Sequence, residues 1–422
     1  MDTIFALSSG APPAGIAVIR ISGPRARVAL EQLAGVMPIP RALHFTALRE
    51  GERLLDRGFV AFLPGPGTAT GEDILEFHLH GGRAVVAAVE GALAAIPGLR
   101  RAEPGEFTRR AFANGRIDLA EAEGLGDLLS AETELQRRSA LEIASGRFSH
   151  QVQGWREELL ALSAKVEAVL DFDDEDDVAT VSPLFHNEIK ALKDNIGEVM
   201  AWPRAETLRE GFRVALAGPP NAGKSTLFNA LVEHEAAITS PAAGTTRDVL
   251  ERPVAIEGVP LVFVDMAGLR EAEGEIEALG VERAHAELGR ADLVLWLGTE
   301  GDGPSGAWEI EPQIDRQDRP AKAAPRFRLS ALTGEGLLAL KRALVEHARG
   351  AMPKPGTAAL NERQRHRLGQ AVDSLAAIDE LDDPLLIAEH LRRARMAFDA
   401  LIGRTATEDM LDALFGRFCI GK

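Results

Sequence analysis

Eight residues, Gly218-Pro-Pro-Asn-Ala-Gly223-Lys224-Ser225, have the spacing G-x-x-x-x-G-K-[ST]. The apolar stretch Arg213-Val-Ala-Leu-Ala217 precedes them, and Thr226-Leu-Phe-Asn-Ala-Leu231 follows with helical character. A strand, a glycine-rich turn and a helix are the setting in which this spacing cradles phosphates. The glycines let backbone N–H groups of Asn221, Ala222 and Gly223 wrap around the anion, and the helix N-terminus adds partial positive charge. Lys224 supplies a point charge for the outer phosphates, Ser225 a hydroxyl for Mg²⁺, and Thr226 a further polar group in the first turn. A chance glycine turn would not have both flanking elements.

Two later segments extend the same chemistry. Gly244-Thr245-Thr246-Arg247-Asp248 places Thr246 as a second Mg²⁺ ligand, although a Thr pair alone is most often plain loop. Leu261-Val-Phe-Val-Asp265-Met-Ala-Gly268 is an apolar strand ending in D-x-x-G, where Asp265 can hold the metal and the Gly268 N–H can sense a γ-phosphate. Singly each is weak; in this order after a phosphate loop they indicate a GTPase domain. The base-reading segment N-K-x-D is degenerate. After Leu293-Val-Leu-Trp-Leu297 its counterpart is Pro312-Gln313-Ile314-Asp315, which keeps only the acid that would accept guanine N1–H and N2–H. A solvated loop acid is an equal reading of Asp315. Ser330-Ala331-Leu332 fits the next element, in which a backbone N–H meets guanine O6.

The elements that must position these groups form three zones. Residues 1–118 alternate short strands with Gly/Pro turns; residues 119–210 read as long helices; residues 211–348 read as strand, loop and helix in α/β alternation. Helical periodicity returns over 349–422, where Ile387, Leu391, Ala394, Phe398 and Leu401 define one apolar face. The expected fold class is therefore α/β plus all-α, with the α/β block inserted into a helical domain.

Composition bounds the rest. The 422 residues are 45% hydrophobic and 26% charged, ordinary for a soluble protein. A single cysteine excludes an internal disulfide. No signal peptide and no stretch of ~20 apolar residues is seen, so the expected compartment is the cytoplasm and no membrane contact is expected. The net charge of −17 argues against a general nucleic-acid binder, yet residues 1–118 carry 13 Arg against 12 acids. That part is +1 and the remainder −18, so a polyanion would dock more readily on the N-terminal part. In Ile74-Leu-Glu-Phe-His-Leu-His80, period-2 alternation puts Glu76, His78 and His80 on one strand face. From pattern alone this is a solvated polar face.

The motif order, together with Gly15-Ile-Ala-Val-Ile-Arg-Ile-Ser-Gly23, Thr70-Gly-Glu-Asp-Ile-Leu-Glu-Phe, His80-Gly-Gly82, Pro104-Gly-Glu-Phe-Thr-Arg-Arg-Ala-Phe112, Asp118-Leu-Ala-Glu-Ala-Glu123 and the terminal Phe418-Cys419-Ile420-Gly421-Lys422, resembles the MnmE (TrmE) family of tRNA uridine-modification GTPases. The likeness runs along nearly the whole chain and fails between about Thr299 and Arg326. It implies an N-terminal folate-binding-like α/β domain that forms a homodimer, a helical domain, and an inserted Ras-like P-loop GTPase domain. It also implies action with the flavoprotein MnmG on carbon 5 of the wobble uridine of tRNA. The carbon would come from a tetrahydrofolate derivative, in the 5-formyl or 5,10-methylene form, and the nitrogen from glycine or ammonia.

The resemblance carries folate contacts onto Arg20, Glu76, Arg116 and Lys422. It implies K⁺ at the nucleotide, held by Asn221 with Ser240, Ala242 and Thr245, of which Ser240 and Thr245 also touch GTP. Glu277 becomes the water-positioning acid. That suits Leu269, which stands where water-orienting relatives of Ras place Gln and cannot itself orient water. Met266 replaces the Thr of D-T-A-G, with little effect expected. Three readings from the residues stay open. Cys419 is either a nucleophile or a small buried hydrophobe, the latter favoured because no base is identifiable near it. Thr405-Ala-Thr-Glu408 fits a capping box before a short helix leading to Cys419. The acidic run Asp171 to Asp177 reads as a solvated helix end rather than a metal site. Competing functions are a ribosome-assembly or regulatory GTPase and a nucleotide-binding module without turnover.

Overall fold

The computed structural model describes residues 2–171, 183–202, 204–233, 236–237, 250–266, 288–316, 321–352 and 358–421. Two compact units divide the chain: Met1–Gly126 with Gly146–Leu160 and Arg395–Lys422, and Asp127–Ser145 with Ala161–Ala394.

In the first unit, strands β1 (Thr3–Leu7), β2 (Ala14–Ser22), β3 (Leu43–Glu50), β4 (Arg53–Leu63), β5 (Ile74–Gly81) and β6 (Leu99–Arg101) form one sheet in the order β3-β4-β5-β2-β1-β6. All neighbours are antiparallel except β1 and β6. Alternation decides the faces. Ala17, Ile19 and Ile21 of β2 and Leu75, Phe77 and Leu79 of β5 are buried in one core with Leu30 and Val89 from helices Ala26–Ala34 and Arg83–Ala94. The intervening residues Arg20, Glu76 and His78 are left half-buried on the other face.

A second core of this unit joins Leu119 and Ala122 to Leu411, Phe415 and Phe418. Phe418 takes the core position at the C-terminal turn, and its neighbour Cys419 is exposed. The reading of Cys419 as a buried small hydrophobe is therefore corrected. The expected capping box is corrected as well. The helix is Glu408–Phe415 with Thr407 as its N-cap residue, and no side chain caps it. Glu408 is helical already and pairs with Arg109, which also bonds Asp412 at 2.7 Å.

In the second unit, β7 (Phe212–Ala217), β8 (Ala236–Ala237), β9 (Leu250–Ile256), β10 (Val259–Asp265), β11 (Leu293–Trp296), β12 (Trp308–Glu311) and β13 (Phe327–Arg328) form a sheet in the order β13-β12-β11-β7-β10-β9-β8. The five strands β13, β12, β11, β7 and β10 are parallel, and β8 and β9 add an antiparallel edge. Every residue of β10 is buried, as a parallel strand covered on both faces requires. Leu227, Phe228 and Leu231 of helix Lys224–Val232 and Leu340, Leu344 and Val345 of helix Leu337–Ala351 close the core. The chain passes from β7 to β10 on one side and then to β11 on the other. The strand order thus reverses at β7, and the crevice at its carboxyl end is where such sheets bind ligands.

The chain enters and leaves this α/β part side by side. Arg204 bridges Leu360, the Ala205 N–H donates to the Leu360 carbonyl at 3.0 Å, and Arg365 donates to the Met200 carbonyl at 2.7 Å. The outgoing helix Glu362–Ala376 begins with a capping box of Asn361 and Gln364. In helix Pro384–Leu401, Ile387, Leu391, Ala394, Phe398 and Leu401 are all fully buried, as their 4-3-4-3 spacing requires. Among the described residues no helix is long and apolar enough to cross a membrane.

Candidate functional site

The phosphate loop leaves β7 at Ala217 and turns on three left-handed or extended-positive residues: Gly218 (φ 149°), Asn221 (φ 61°) and Gly223 (φ 94°). Helix Lys224–Val232 starts directly after it. Lys224 is buried, and its ammonium donates to the Gly218 carbonyl at 3.0 Å and the Pro219 carbonyl at 2.8 Å. The loop thus holds its own cation in place, so little side-chain entropy remains to be lost when phosphate arrives. Ala222 is buried, whereas Asn221, Ser225 and Thr226 are exposed.

Ser225 Oγ donates to Asp265 Oδ2 at 2.7 Å. Asp265 ends β10 and is 2% exposed. A hydroxyl and a carboxylate at this separation beside a helix N-terminus are hard oxygen donors, the set that Mg²⁺ takes together with phosphate oxygens. Among the described residues no group of three acid, His or Cys side chains could hold a metal alone.

The segment Pro312–Asp315 stands at the carboxyl end of β12, two strands from β7 in the same parallel array. Pro312 follows the strand, Gln313 is left-handed (φ 58°), the Ile314 N–H donates to the Leu329 carbonyl at 3.3 Å, and Asp315 is exposed. Ser330 follows β13 and is fully buried; its hydroxyl accepts from the Thr333 N–H at 3.2 Å, which fixes the turn that presents half-buried Ala331. Phosphate loop, Asp265, Asp315 and Ser330-Ala331 therefore share one edge of one sheet. The same array brings Gln313 against Gly223, a contact the sequence reading did not contain.

The stretch in which the family likeness fails is anchored to the sheet. Glu300 accepts from the Ala323 and Ala324 N–H groups at 2.6 and 2.8 Å. Lys322 is buried between Glu309 and the Trp296 carbonyl, and the Arg326 guanidinium stacks over Trp308 at 3.9 Å. These contacts set the loop that leads into and out of β12.

In the first unit Arg20 and Glu76 are directly opposite on β2 and β5. Arg20 Nε and Nη2 donate to Glu76 Oε1 at 3.0 and 2.9 Å, and His78 Nε2 lies 3.2 Å from Glu76 Oε2. Both carboxylate oxygens are thus engaged from within. His80 belongs to a separate pair: its ring and backbone N–H hold Asp56, whose carboxyl is pushed up by burial but pulled further down by those hydrogen bonds, to below its usual range. Arg116 Nε donates to the Thr68 carbonyl at 3.2 Å. The Thr70 hydroxyl meets that of Ser22, two residues along β2 from Arg20, at 2.7 Å. Arg116 therefore joins the same end of the sheet through the Thr68–Thr70 turn rather than by touching Arg20 or Glu76. The C-terminal tail reaches the end of β1, where Ser8 Oγ donates to the Gly421 carbonyl at 2.8 Å and Pro104 bridges Ile420. Gly421 (φ 94°) leaves no room for a side chain, since a Cβ would lie 2.1 Å from the Leu7 carbonyl oxygen.

Ser240, Ala242, Thr245, Thr246, Gly268, Leu269, Glu277 and Lys422, and the acidic run beyond Asp171, lie outside the described residues.

Comparison with known proteins covers the full chain. Residues 3–116 match the family of the GTP-binding protein TrmE N-terminus, and residues 119–419 match the MnmE helical domain. The tRNA modification GTPase MnmE of Erythrobacter litoralis is 62% identical over 424 residues, covering 100% of both chains. The protein of the same name from Novosphingobium aromaticivorans is 60% identical over 436 residues, again covering 100% of both. Among solved structures, the G domain of the T. maritima FeoB iron transporter is 27% identical, covering 32% of this chain and 98% of its own at a TM-score of 0.24. The full-length identities and the two matched family regions show that this chain belongs to the MnmE family of tRNA modification GTPases.

Proposed function

We propose that this GTPase hydrolyses GTP at the crevice between Lys224 and Asp265, and that hydrolysis serves modification of carbon 5 of the wobble uridine in tRNA. The observation that carries the reading is the 2.7 Å contact between Ser225 and Asp265 beside a preset Lys224. Backbone N–H groups from Asn221 to Ser225 and the Lys224 ammonium neutralise the β- and γ-phosphates, where charge redistributes as the terminal bond breaks. Ser225 and Asp265, with Thr246, would hold Mg²⁺, which would supply positive charge to offset the negative charge of the phosphates. Gly268 would sense the γ-phosphate. Asp315 accepts from the guanine edge, and the backbone N–H of Ala331 faces O6.

Leu269 cannot orient water, so the reading assigns that task to Glu277. It assigns the place of an arginine finger to K⁺, held by Asn221 with Ser240, Ala242 and Thr245. The left-handed backbone of exposed Asn221 fits a residue that turns its amide toward a ligand. The Arg20–Glu76–His78 face, with Arg116 and Lys422, would take the tetrahydrofolate donor. Its half-buried charged groups suit a flat ring edged with donors and acceptors. The reading includes a homodimer through residues 1–118, MnmG as the partner enzyme, tRNA as substrate and a cytoplasmic location.

A second reading, a nucleotide-binding module without turnover, rests on Pro312 and Gln313 where Asn and Lys are expected. Phosphate release in potassium buffer separates the two. Sustained release supports the enzyme, and stoichiometric binding with no release supports the module.

A further inference from the structure

Two sequence blocks, Thr70-Gly-Glu-Asp73 and Pro104-Gly-Glu-Phe-Thr-Arg-Arg-Ala-Phe112, supply none of the groups proposed above to hold nucleotide or folate, yet they meet in the first unit. Glu72 Oε2 accepts from the Ser22 hydroxyl at 2.7 Å, and its two oxygens lie 3.2 and 3.3 Å from Nη1 of Arg110 on helix Glu106–Ala113. The Glu72 and Arg110 side chains are each only 14% exposed. Arg110 is held in turn by Asp2 at 2.7 Å and Glu106 at 3.0 Å. A charge so far out of water is tolerated only while its partners stay in place. Glu72 is therefore fixed at one point between β2 and the helix.

The same residue shapes the turn it belongs to. The Thr68 hydroxyl donates to the Glu72 carbonyl at 2.6 Å, and the Glu72 N–H donates to the Thr70 hydroxyl at 3.3 Å. The Thr68 carbonyl then accepts from Arg116 Nε at 3.2 Å. The Arg116 stem lies along the turn, since a Cβ built on Gly71 would stand 3.3 Å from its Cγ and 3.4 Å from its Cδ. Arg116 is exposed, and among the described residues its two Nη groups make no hydrogen bond. A guanidinium pinned at Nε presents both Nη groups as a fork of fixed direction, the geometry that a carboxylate matches. Ser22 stands two residues from Arg20 on the same face of β2. Glu72 thus ties the aim of Arg116 to the strand that carries Arg20.

We propose that Glu72 is a positioning residue: by holding Ser22 and Arg110 it fixes the Thr68–Asp73 turn, whose Thr68 carbonyl aims the Arg116 guanidinium at a carboxylate of the bound tetrahydrofolate derivative. The inference rests on the folate site proposed above. The competing account is a plain structural brace, whose loss would lower stability and weaken binding with no dependence on Arg116.

The test is a double-mutant cycle read by calorimetry on the full chain with 5-formyltetrahydrofolate, for the wild type, Glu72→Gln, Arg116→Ala and the double variant. Removing a negative charge near an anionic ligand would by itself tighten binding, so a loss in Glu72→Gln reports geometry. Affinity is expected to fall about three- to tenfold in Glu72→Gln, the worth of about one ordinary hydrogen bond, and not to fall further when Glu72→Gln is added to Arg116→Ala. Ser22→Ala, which leaves every charge in place, is expected to show the same dependence on Arg116 and keeps the test open if Glu72→Gln does not fold. Unchanged or tighter binding in the folded variants overturns the proposal. So do equal losses with and without Arg116, which would make Glu72 a brace. Failure of the wild type to bind, or wild-type affinity in Arg116→Ala, would mark the folate site itself as wrong and overturn the proposal with it.

Discussion

Ser225 Oγ and Asp265 Oδ2 meet at 2.7 Å across 40 residues of sequence, tying the start of the helix after β7 to the end of β10. The link exists because β7 and β10 are parallel neighbours, with Leu216 opposite Asp265. It sets a hydroxyl and a carboxylate beside a lysine held by two carbonyls, the groups that the proposed function assigns to cation and phosphate.

That arrangement predicts the outcome at Lys224. Lys224→Ala removes the one point charge aimed at the outer phosphates, and GTP affinity is expected to fall by about 10- to 150-fold or more. Calorimetry checks it. Unchanged affinity would remove Lys224 from the phosphate site.

The potassium assignment predicts a salt effect. Turnover is expected to be markedly faster in K⁺ than in Na⁺ at equal ionic strength, and Asn221→Ser is expected to narrow the gap. Equal rates in the two salts would exclude the ion from catalysis.

The Arg20–Glu76 pair predicts a separation of stability from binding. Both side chains are partly exposed, so the pair itself contributes about 1 kcal/mol or less. Arg20→Ala should therefore leave thermal unfolding nearly unchanged while weakening a tetrahydrofolate derivative about tenfold, and removal of Lys422 should weaken it too. Retained folate affinity in both variants would leave the strand face as a solvated polar surface.

The degenerate base segment predicts reduced discrimination. Asp315 accepting two hydrogen bonds in a partly desolvated site contributes about 1.5–3 kcal/mol, roughly a 10- to 150-fold preference for guanine over adenine. GTP should still be preferred over ATP, and Asp315→Ala should erase most of the preference. Asp315→Asn should favour xanthine, whose C2 carbonyl needs a donor. A competition titration with GDP, ADP and xanthosine diphosphate decides it. A wild-type GDP-to-ADP ratio in Asp315→Ala would move base reading to another group.

Much of this was legible in local pattern. The 4-3-4-3 spacing from Ile387 to Leu401 named a face that is fully buried, and the glycine spacing from Gly218 named the turn that holds Lys224. Relations between distant segments were not legible. That Arg20 faces Glu76 depends on the register of two strands 56 residues apart, and that Gln313 covers Gly223 depends on a shared sheet edge. Nothing in a Pro-Gln-Ile-Asp string announces a left-handed glutamine. Cys419 was misplaced for a similar reason, because Phe418 beside it had the larger apolar surface and took the core position.

The central claim joins the nucleotide site to tRNA modification, and one measurement tests both together. Wobble uridine is analysed by mass spectrometry in tRNA from cells lacking this protein, complemented with the wild type or with Lys224→Ala at equal expression. The expected result is loss of the carbon-5 aminomethyl-type group in the deletion, restoration by the wild type and no restoration by Lys224→Ala. Full modification in the deletion, or full rescue by Lys224→Ala, would contradict it.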